Sequence, residues 1–269
     1  PICESALGRQ IMRQIRADRD YLDDAEINDY LNELGERLAG ASVDAGYHLR
    51  FFAVRDDSIN AFALPGGFIG VHTGLIAAAR NESELAGVLA HEMAHVTQSH
   101  IARMVDAQKG AALSTLAALA VAILASRADQ AQLGQAAVVT AQAMTLQNQL
   151  DYTREHEREA DRVGLQTLNR AGFDARGMAT FFERLQMQTR HSESQAPSYL
   201  RTHPLTFERI ADIQGRLNSL APHPGEDSQE FRYVRARVRA AQAVAPLRMT
   251  GRFRDRLSVL RDRIVADEC

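Results

Sequence analysis

Residues Asn81 to His100 read NESELAGVLAHEMAHVTQSH, and no other stretch constrains the fold as strongly. The Asn81 side chain is suited to accept hydrogen bonds from the free amides of a first helical turn. Glu84, three residues on, is placed to reach back to the Asn81 amide, so the pair predicts a capping box. Leu85, Val88, Leu89 and Val96 repeat at helical spacing. They predict a largely buried helix that fades only near Gln108-Lys109-Gly110. Within it, His91-Glu92-Met93-Ala94-His95 sets two imidazoles four residues apart on one helical face, converging on a single ion with Glu92 beside it. The plainer reading is a pair of core histidines flanking a glutamate.

Working upstream, Ser58–Leu64 and Phe68–His72 flank Pro65-Gly66-Gly67, in which the proline fixes a negative φ and the glycines accept a positive one. This is a hairpin signal. His48–Val54 (HLRFFAV) is rich in aromatic and branched residues, and Asp56-Asp57 supplies a turn. The expectation is a small antiparallel sheet of strands 48–54, 58–64 and 68–72, followed by a short helix over 73–80. Such a sheet leaves one edge free for an extended peptide, with Asn60, Ala61 and Phe62 as candidate substrate contacts. The bland alternative is an edge covered by a loop. Further upstream, residues 4–18 read as a helix, and Ile27, Leu31, Leu34 and Leu38 predict a second, starting at Asp24 and stopped by Gly40.

Downstream, 111–126 is the most apolar run, too short and Ala-rich for a confident spanning helix, which needs about 20 residues. It reads as a covered helix paired with 131–150, or as a lid or membrane-touching helix over the site. A helix then carries Asp151 through Leu168 to Gly172, placed as a C-terminal cap. Another starts at Asp174, with Met178, Phe181, Phe182 and Leu185 on its core face. Arg201-Thr-His203-Pro204 opens a helix whose expected buried stripe is Phe207, Ile210, Ile213 and Leu217. Ala221-Pro-His-Pro-Gly225 divides a unit over 1–221 from an Arg-rich helical extension over 226–269.

The 269 residues are 45 % hydrophobic, enough for a sizeable core, and mostly helical segments around one sheet place the chain in the α+β class. A net charge of −3 provides no broad basic field, which argues against nucleic acid as a partner. Cys3 and Cys269 match neither a zinc ribbon nor a redox pair. They bridge the ends in an oxidising compartment or remain two thiols in a reducing one. Pro1-Ile2-Cys3 does not look like a native start, and a trimmed mature form is expected.

Two histidines leave a catalytic zinc site one protein ligand short. Glu157 and Asp161, four apart on a helix, share a face, so one carboxylate can bind metal while the other orients a ligand histidine. Spacing alone does not separate Glu157 from its neighbours Glu155 and Glu159.

His91-Glu-Met-Ala-His95 followed by Glu157-Arg-Glu-Ala-Asp161, with Asn60-Ala-Phe before and Arg201-Thr-His-Pro after, resembles the HtpX-like and BepA-like family of gluzincin metallopeptidases across roughly residues 10 to 218. The resemblance implies a zincin fold with the sheet beside the H-E-x-x-H helix. It also implies one zinc ion held by His91, His95 and Glu157, with Asp161 supporting a ligand from behind. BepA-like members usually continue into a tetratricopeptide-repeat domain, of which one helical pair is too little for a stable array.

In that setting Glu92 is the expected general base, and His203 has three readings: oxyanion donor, occupant of the open metal position, or a structural helix-start residue. The expected function is a zinc endopeptidase cleaving extended or misfolded polypeptide in a bacterial periplasm or envelope. Its competitor is a chaperone-like protein that holds clients with proteolysis latent or absent. Oligomeric state is not legible.

Overall fold

The computed structural model describes residues 2–44, 46–104, 106, 153–189 and 197–244. Segment 111–150, the pairing of Cys3 with Cys269, and the chain beyond Val244 lie outside these residues. The chain forms two compact units, Pro1–Gln98 with Ala160–Cys269, and Ser99–Glu159.

In the first unit, helix α1 spans Ile2–Arg16 and α2 spans Ala25–Ala41. Asp24 caps α2 by accepting from the Ile27 amide at 3.3 Å. The helix runs through Gly40, which makes no close contact and needs no special φ, so glycine here is permitted in the helix without ending it. Strands β1 (Arg50–Val54), β2 (Ala61–Leu64) and β3 (Phe68–His72) form a sheet in the order β1-β3-β2. As expected, β2 and β3 are antiparallel across Pro65-Gly66-Gly67. The sheet is nevertheless mixed, because β1 runs parallel to β3 from Arg50↔Phe68 to Val54↔His72.

The orientation of β1 follows from where its C-terminal end is tied. The Asp56 amide donates to Thr73 Oγ1 at 3.2 Å, and the Gly74 amide donates to Asp56 O at 2.8 Å. The 55–60 connection is thereby held at the far end of β3 and does not fold back as a hairpin. The composition of β1 agrees, since Phe51, Phe52, Ala53 and Val54 are all buried, the pattern of a strand covered on both faces. Phe52 and Val54 join Ile11, Met12 and Ile15 of α1, whereas Phe51 and Ala53 join the main core.

The outer edge of β1 is satisfied by side chains of α2 together with the backbone before it, where Tyr21 bridges Val54 and the Leu22 amide donates to Ala53 O at 3.0 Å. Asn32 accepts from the Phe51 amide at 3.0 Å and donates to Phe51 O at 2.9 Å, while Asn28 accepts from the Ala53 amide at 2.9 Å. Among the described residues β3 is the only strand partner of β2.

Helix α3 (Thr73–Ala78) leads into α4 (Glu82–Thr97). The cap forms as expected on one side, with Asn81 accepting from the Glu84 amide at 2.9 Å. The returning arm reaches one residue further, to the Arg80 amide at 2.8 Å, because the Glu84 carboxylate is also held by Arg184. The helix ends earlier than its pattern suggests. Ser99 takes a φ of 53°, in the left-handed region, and a separate helix, α5, starts at 100 in the second unit.

Helix α6 covers 153–170 and closes at Gly172, whose φ of 79° lets the Phe173 amide return to Leu168 O at 3.2 Å. Then come α7 (Arg176–Thr189), α8 (Ser198–Thr202), α9 (Phe207–Leu217) and α10 (Gln229–Val244). Phe231, Val234 and Val238 of α10 lie in the same hydrophobic cluster as Ile27, Leu31 and Ile76. Phe207 departs from expectation: it is 66 % exposed, because it is the first residue after the Thr206 cap, and Arg209 takes the inward position instead. Among the described residues no helix is long and apolar enough to cross a membrane.

Candidate metal centre

The centre is built on α4, which is buried nearly throughout and brings His91, Glu92 and His95 into the interior of the first unit. Helix α6 approaches it at Gly164, where an added Cβ would lie 3.0 Å from the Ala90 carbonyl carbon and the His91 amide nitrogen. This backbone-to-backbone contact carries Asp161, one turn earlier, to the rear of His91.

His91 Nε2 and His95 Nε2 face each other at 3.1 Å. Behind them, His91 Nδ1 is 3.0 Å from Asp161 Oδ1. A carboxylate there favours a proton on Nδ1 and leaves the Nε2 lone pair directed into the centre, the state a metal requires. The described donor set therefore fits a zinc ion. Burial alone would push the Asp161 carboxyl up, but hydrogen bonds and charge from Arg209 and His91 outweigh it and hold the group below its usual range. Arg209 donates from Nε to Asp161 Oδ2 at 2.7 Å and from Nη2 to Oδ1 at 2.8 Å.

His203 comes from the turn between α8 and α9, where its amide donates to Tyr199 O at 2.8 Å. Its ring stacks on Tyr199 at 4.7 Å and lies 5.0 Å from the His95 ring. His203 Nε2 is 3.4 Å from Glu92 Oε1, and ligand atoms of His91, His95 and His203 fall within 4.8 Å of one another. Phe182 of α7 meets the His91 ring edge-on at 5.8 Å and closes the apolar side.

Glu157 lies on the part of α6 that belongs to the second unit, one turn ahead of Asp161. It is buried, whereas Glu155 is exposed. Glu159 is engaged within that unit, accepting from Arg103 Nη1 at 2.7 Å and lying 3.1 Å from His100 Nε2. His100 stacks flat on His156 at 4.2 Å. Burial, helped by the charges of His100 and Arg103, pushes the His156 imidazole down to about 4.

The geometry thus brings together five of the residues expected from sequence: His91, Glu92, His95, Asp161 and His203. Asn60 directly precedes β2, with its carbonyl accepting from the His72 amide at 3.1 Å. Ala61 is buried, and Phe62 packs edge-on against Phe52 at 6.0 Å. The side chains of Ala61 and Phe62 are thus committed to the fold. Arg209, Tyr199 and Phe182 were not legible as site residues. Arg209 follows His203 by six positions, but nothing in a helix sequence marks one arginine among many as buried.

Comparison with known proteins agrees with this arrangement. The model of peptidase family M48 matches residues 25–217, from the start of α2 to the end of α9. The chain is 41 % identical over 240 residues to a "Putative beta-barrel assembly-enhancing protease" of Vibrio cholerae, covering 89 % of this chain and 49 % of that protein. It is 40 % identical over 236 residues to the "Beta-barrel assembly-enhancing protease" of Escherichia coli, covering 87 % of this chain and 48 % of the relative. "Metalloprotease LoiP" of Escherichia coli is more distant, at 28 % identity over 188 residues, 70 % of this chain and 68 % of that one. The chain spans about half the length of the two assembly-enhancing proteases. With a match that runs through the metal-site helix and the supports around it, the chain belongs to peptidase family M48.

Proposed function

We propose that this chain is the peptidase part of a zinc-dependent endopeptidase that cleaves extended or misfolded polypeptide in the bacterial envelope. The observation that carries the reading is the facing pair of His91 and His95 nitrogens, oriented from behind by Asp161, with Glu92 buried alongside. His91, His95 and Glu157 are the proposed ligands for one zinc ion per chain. Glu157 shares a helical face with Asp161, and of the three acidic candidates it alone is neither exposed nor held by Arg103.

Zinc bound there supplies a Lewis acid that brings the pKa of water toward neutrality and polarises a peptide carbonyl. Glu92 accepts the proton from the attacking water and later returns it to the departing amine nitrogen. The main chain of β2 offers an edge along which an extended substrate adds as a strand. Because the Phe62 side chain packs into the sheet, recognition there falls on backbone groups and tolerates many sequences. The names of the two most similar relatives above, proteases that enhance β-barrel assembly, support an envelope setting and unfolded barrel precursors as clients.

Zinc analysis paired with a casein cleavage assay, with and without chelator, tests the proposal. Stoichiometric zinc without chelator-sensitive cleavage, together with retention of the uncleaved client, points instead to a holding function. Glu157→Ala is expected to weaken zinc binding by at least about tenfold, since changes in residues merely supporting a ligand already cost that much. Undiminished zinc in this variant overturns the assignment of Glu157.

The presence of a His203 nitrogen among the ligand atoms favours a second reading, in which His203 occupies the open position and keeps the site latent. His203→Ala then raises cleavage of an unfolded substrate. A fall assigns His203 to the developing oxyanion.

A further inference from the structure

We propose that Arg209 is a positioning residue that ties the orientation of His91 to the placement of the His203 turn. The inference rests on the reading of His91 as a metal ligand. Arg209 is 3 % exposed, and its guanidinium is divided between two tasks. Nε and Nη2 form a fork on the Asp161 carboxylate at 2.7 and 2.8 Å, and Asp161 Oδ1 lies 3.0 Å from His91 Nδ1. Nη1 donates to Pro204 O at 2.7 Å, on the residue next to His203. The Arg209 amide also donates to Thr206 Oγ1 at 3.3 Å, so the side chain that braces the turn stands on the helix which that turn caps.

A planar guanidinium is well suited to this arrangement. Its five donors are fixed in one plane, so the fork on Asp161 determines where Nη1 points and therefore where the Pro204 carbonyl rests. Rotation of Asp161 shifts both ends together. Phe182 lies beneath the same group, 5.9 Å from the guanidinium carbon and 5.8 Å edge-on to His91, and limits sideways movement. The consequence is that loading of the metal site and placement of His203 are coupled. Whatever settles His91 on zinc also settles the 203–206 turn.

Arg209→Lys keeps the charge and permits one of the three side-chain contacts but not all of them together. Two measurements are made on the folded variant: zinc affinity by competition with a chelator, and amide hydrogen exchange at His203 and Leu205, with and without zinc. The expected result is zinc binding weakened by about tenfold, together with faster exchange at both amides and less slowing of that exchange by zinc than in the wild type. A purely structural arginine predicts lower stability with neither change.

Thr206→Ala serves as the contrast, since it loosens the helix cap without touching Asp161; exchange rises and zinc affinity stays at the wild-type value. Folded Arg209→Lys with wild-type zinc affinity, or with weakened affinity and unchanged exchange, overturns the proposal. If that variant does not fold, the pair Asp161→Asn with Arg209→Met removes both buried charges, and wild-type zinc affinity there overturns it equally. Absence of zinc from the wild type overturns the metal reading and this inference with it, whereas zinc-loaded wild type beside an unaffected Arg209→Lys overturns only the role of Arg209.

Discussion

Glu92→Gln is expected to retain the wild-type zinc content and to lose peptide cleavage by about 10²- to 10⁴-fold, the usual worth of a positioned proton-transfer group. The substitution preserves shape and keeps an oxygen able to hydrogen-bond, but an amide does not shuttle a proton at neutral pH. Glu92 is 1 % exposed and sits 3.4 Å from His203 Nε2, so no bulk water stands ready to replace it as base. The measurement is cleavage of a quenched fluorescent peptide beside metal analysis of the same sample. Cleavage at the wild-type rate removes Glu92 from the mechanism. Loss of zinc along with activity shows that the change acted on the centre as a whole.

His95→Ala is expected to abolish both zinc retention and chelator-sensitive cleavage. His95 contributes one of the two facing nitrogens, and a remaining pair of ligands is too few for a tight catalytic site. The fold should survive, because His95 makes no helix cap and α4 keeps Leu85, Val88, Leu89 and Met93 in the core. Zinc bound only to the folded chain stabilises it by mass action, about 2.7 kcal/mol at a free concentration one hundred times the dissociation constant. For a domain of this size that corresponds to a Tm shift of about 5–10 °C. Chelator should therefore lower the Tm of the wild type by that amount and leave His95→Ala unmoved. Equal chelator shifts in both proteins, or none in the wild type, contradict the assignment.

Local chemistry made half of the centre readable in the sequence. The Asn81 cap, the buried stripe of α4 and the four-residue spacing of His91 and His95 each depend on neighbours a turn away, and all three appear in the structure. The sheet was readable only where its chemistry is local. Pro65-Gly66-Gly67 specifies an antiparallel hairpin by itself, whereas the direction of β1 depends on the hydrogen bond that the Asp56 amide donates to Thr73 Oγ1 and the one that the Asp56 carbonyl accepts from the Gly74 amide, which no window around Asp56-Asp57 contains. The same limit explains α9. Apolar spacing assigned Phe207 to the core and did not single out Arg209, yet Arg209 is the buried residue because Asp161, 48 positions earlier, offers a buried carboxylate. Spacing narrowed the third ligand to three glutamates. The pairing of Glu159 with Arg103 and the exposure of Glu155, both tertiary facts, support the proposal of Glu157.

The two asparagines of α2 have a consequence for life among unfolded chains. Any sheet with exposed edges is a template on which foreign strands accumulate, and a protease that handles unfolded polypeptide meets such strands continually. Asn28 and Asn32 fill the outward amides of Phe51 and Ala53 and the Phe51 carbonyl with side-chain amides, and the Leu22 amide takes the Ala53 carbonyl at 3.0 Å beside the Tyr21–Val54 bridge, so side chains and a short backbone stretch together stand in for a full neighbouring strand. Growth of the sheet from that side is blocked by two side chains and the backbone of residues 20–22. On the proposed function, incoming polypeptide would be left with the β2 side, where attachment would end in cleavage, and the chain would be protected from seeding the aggregates it clears.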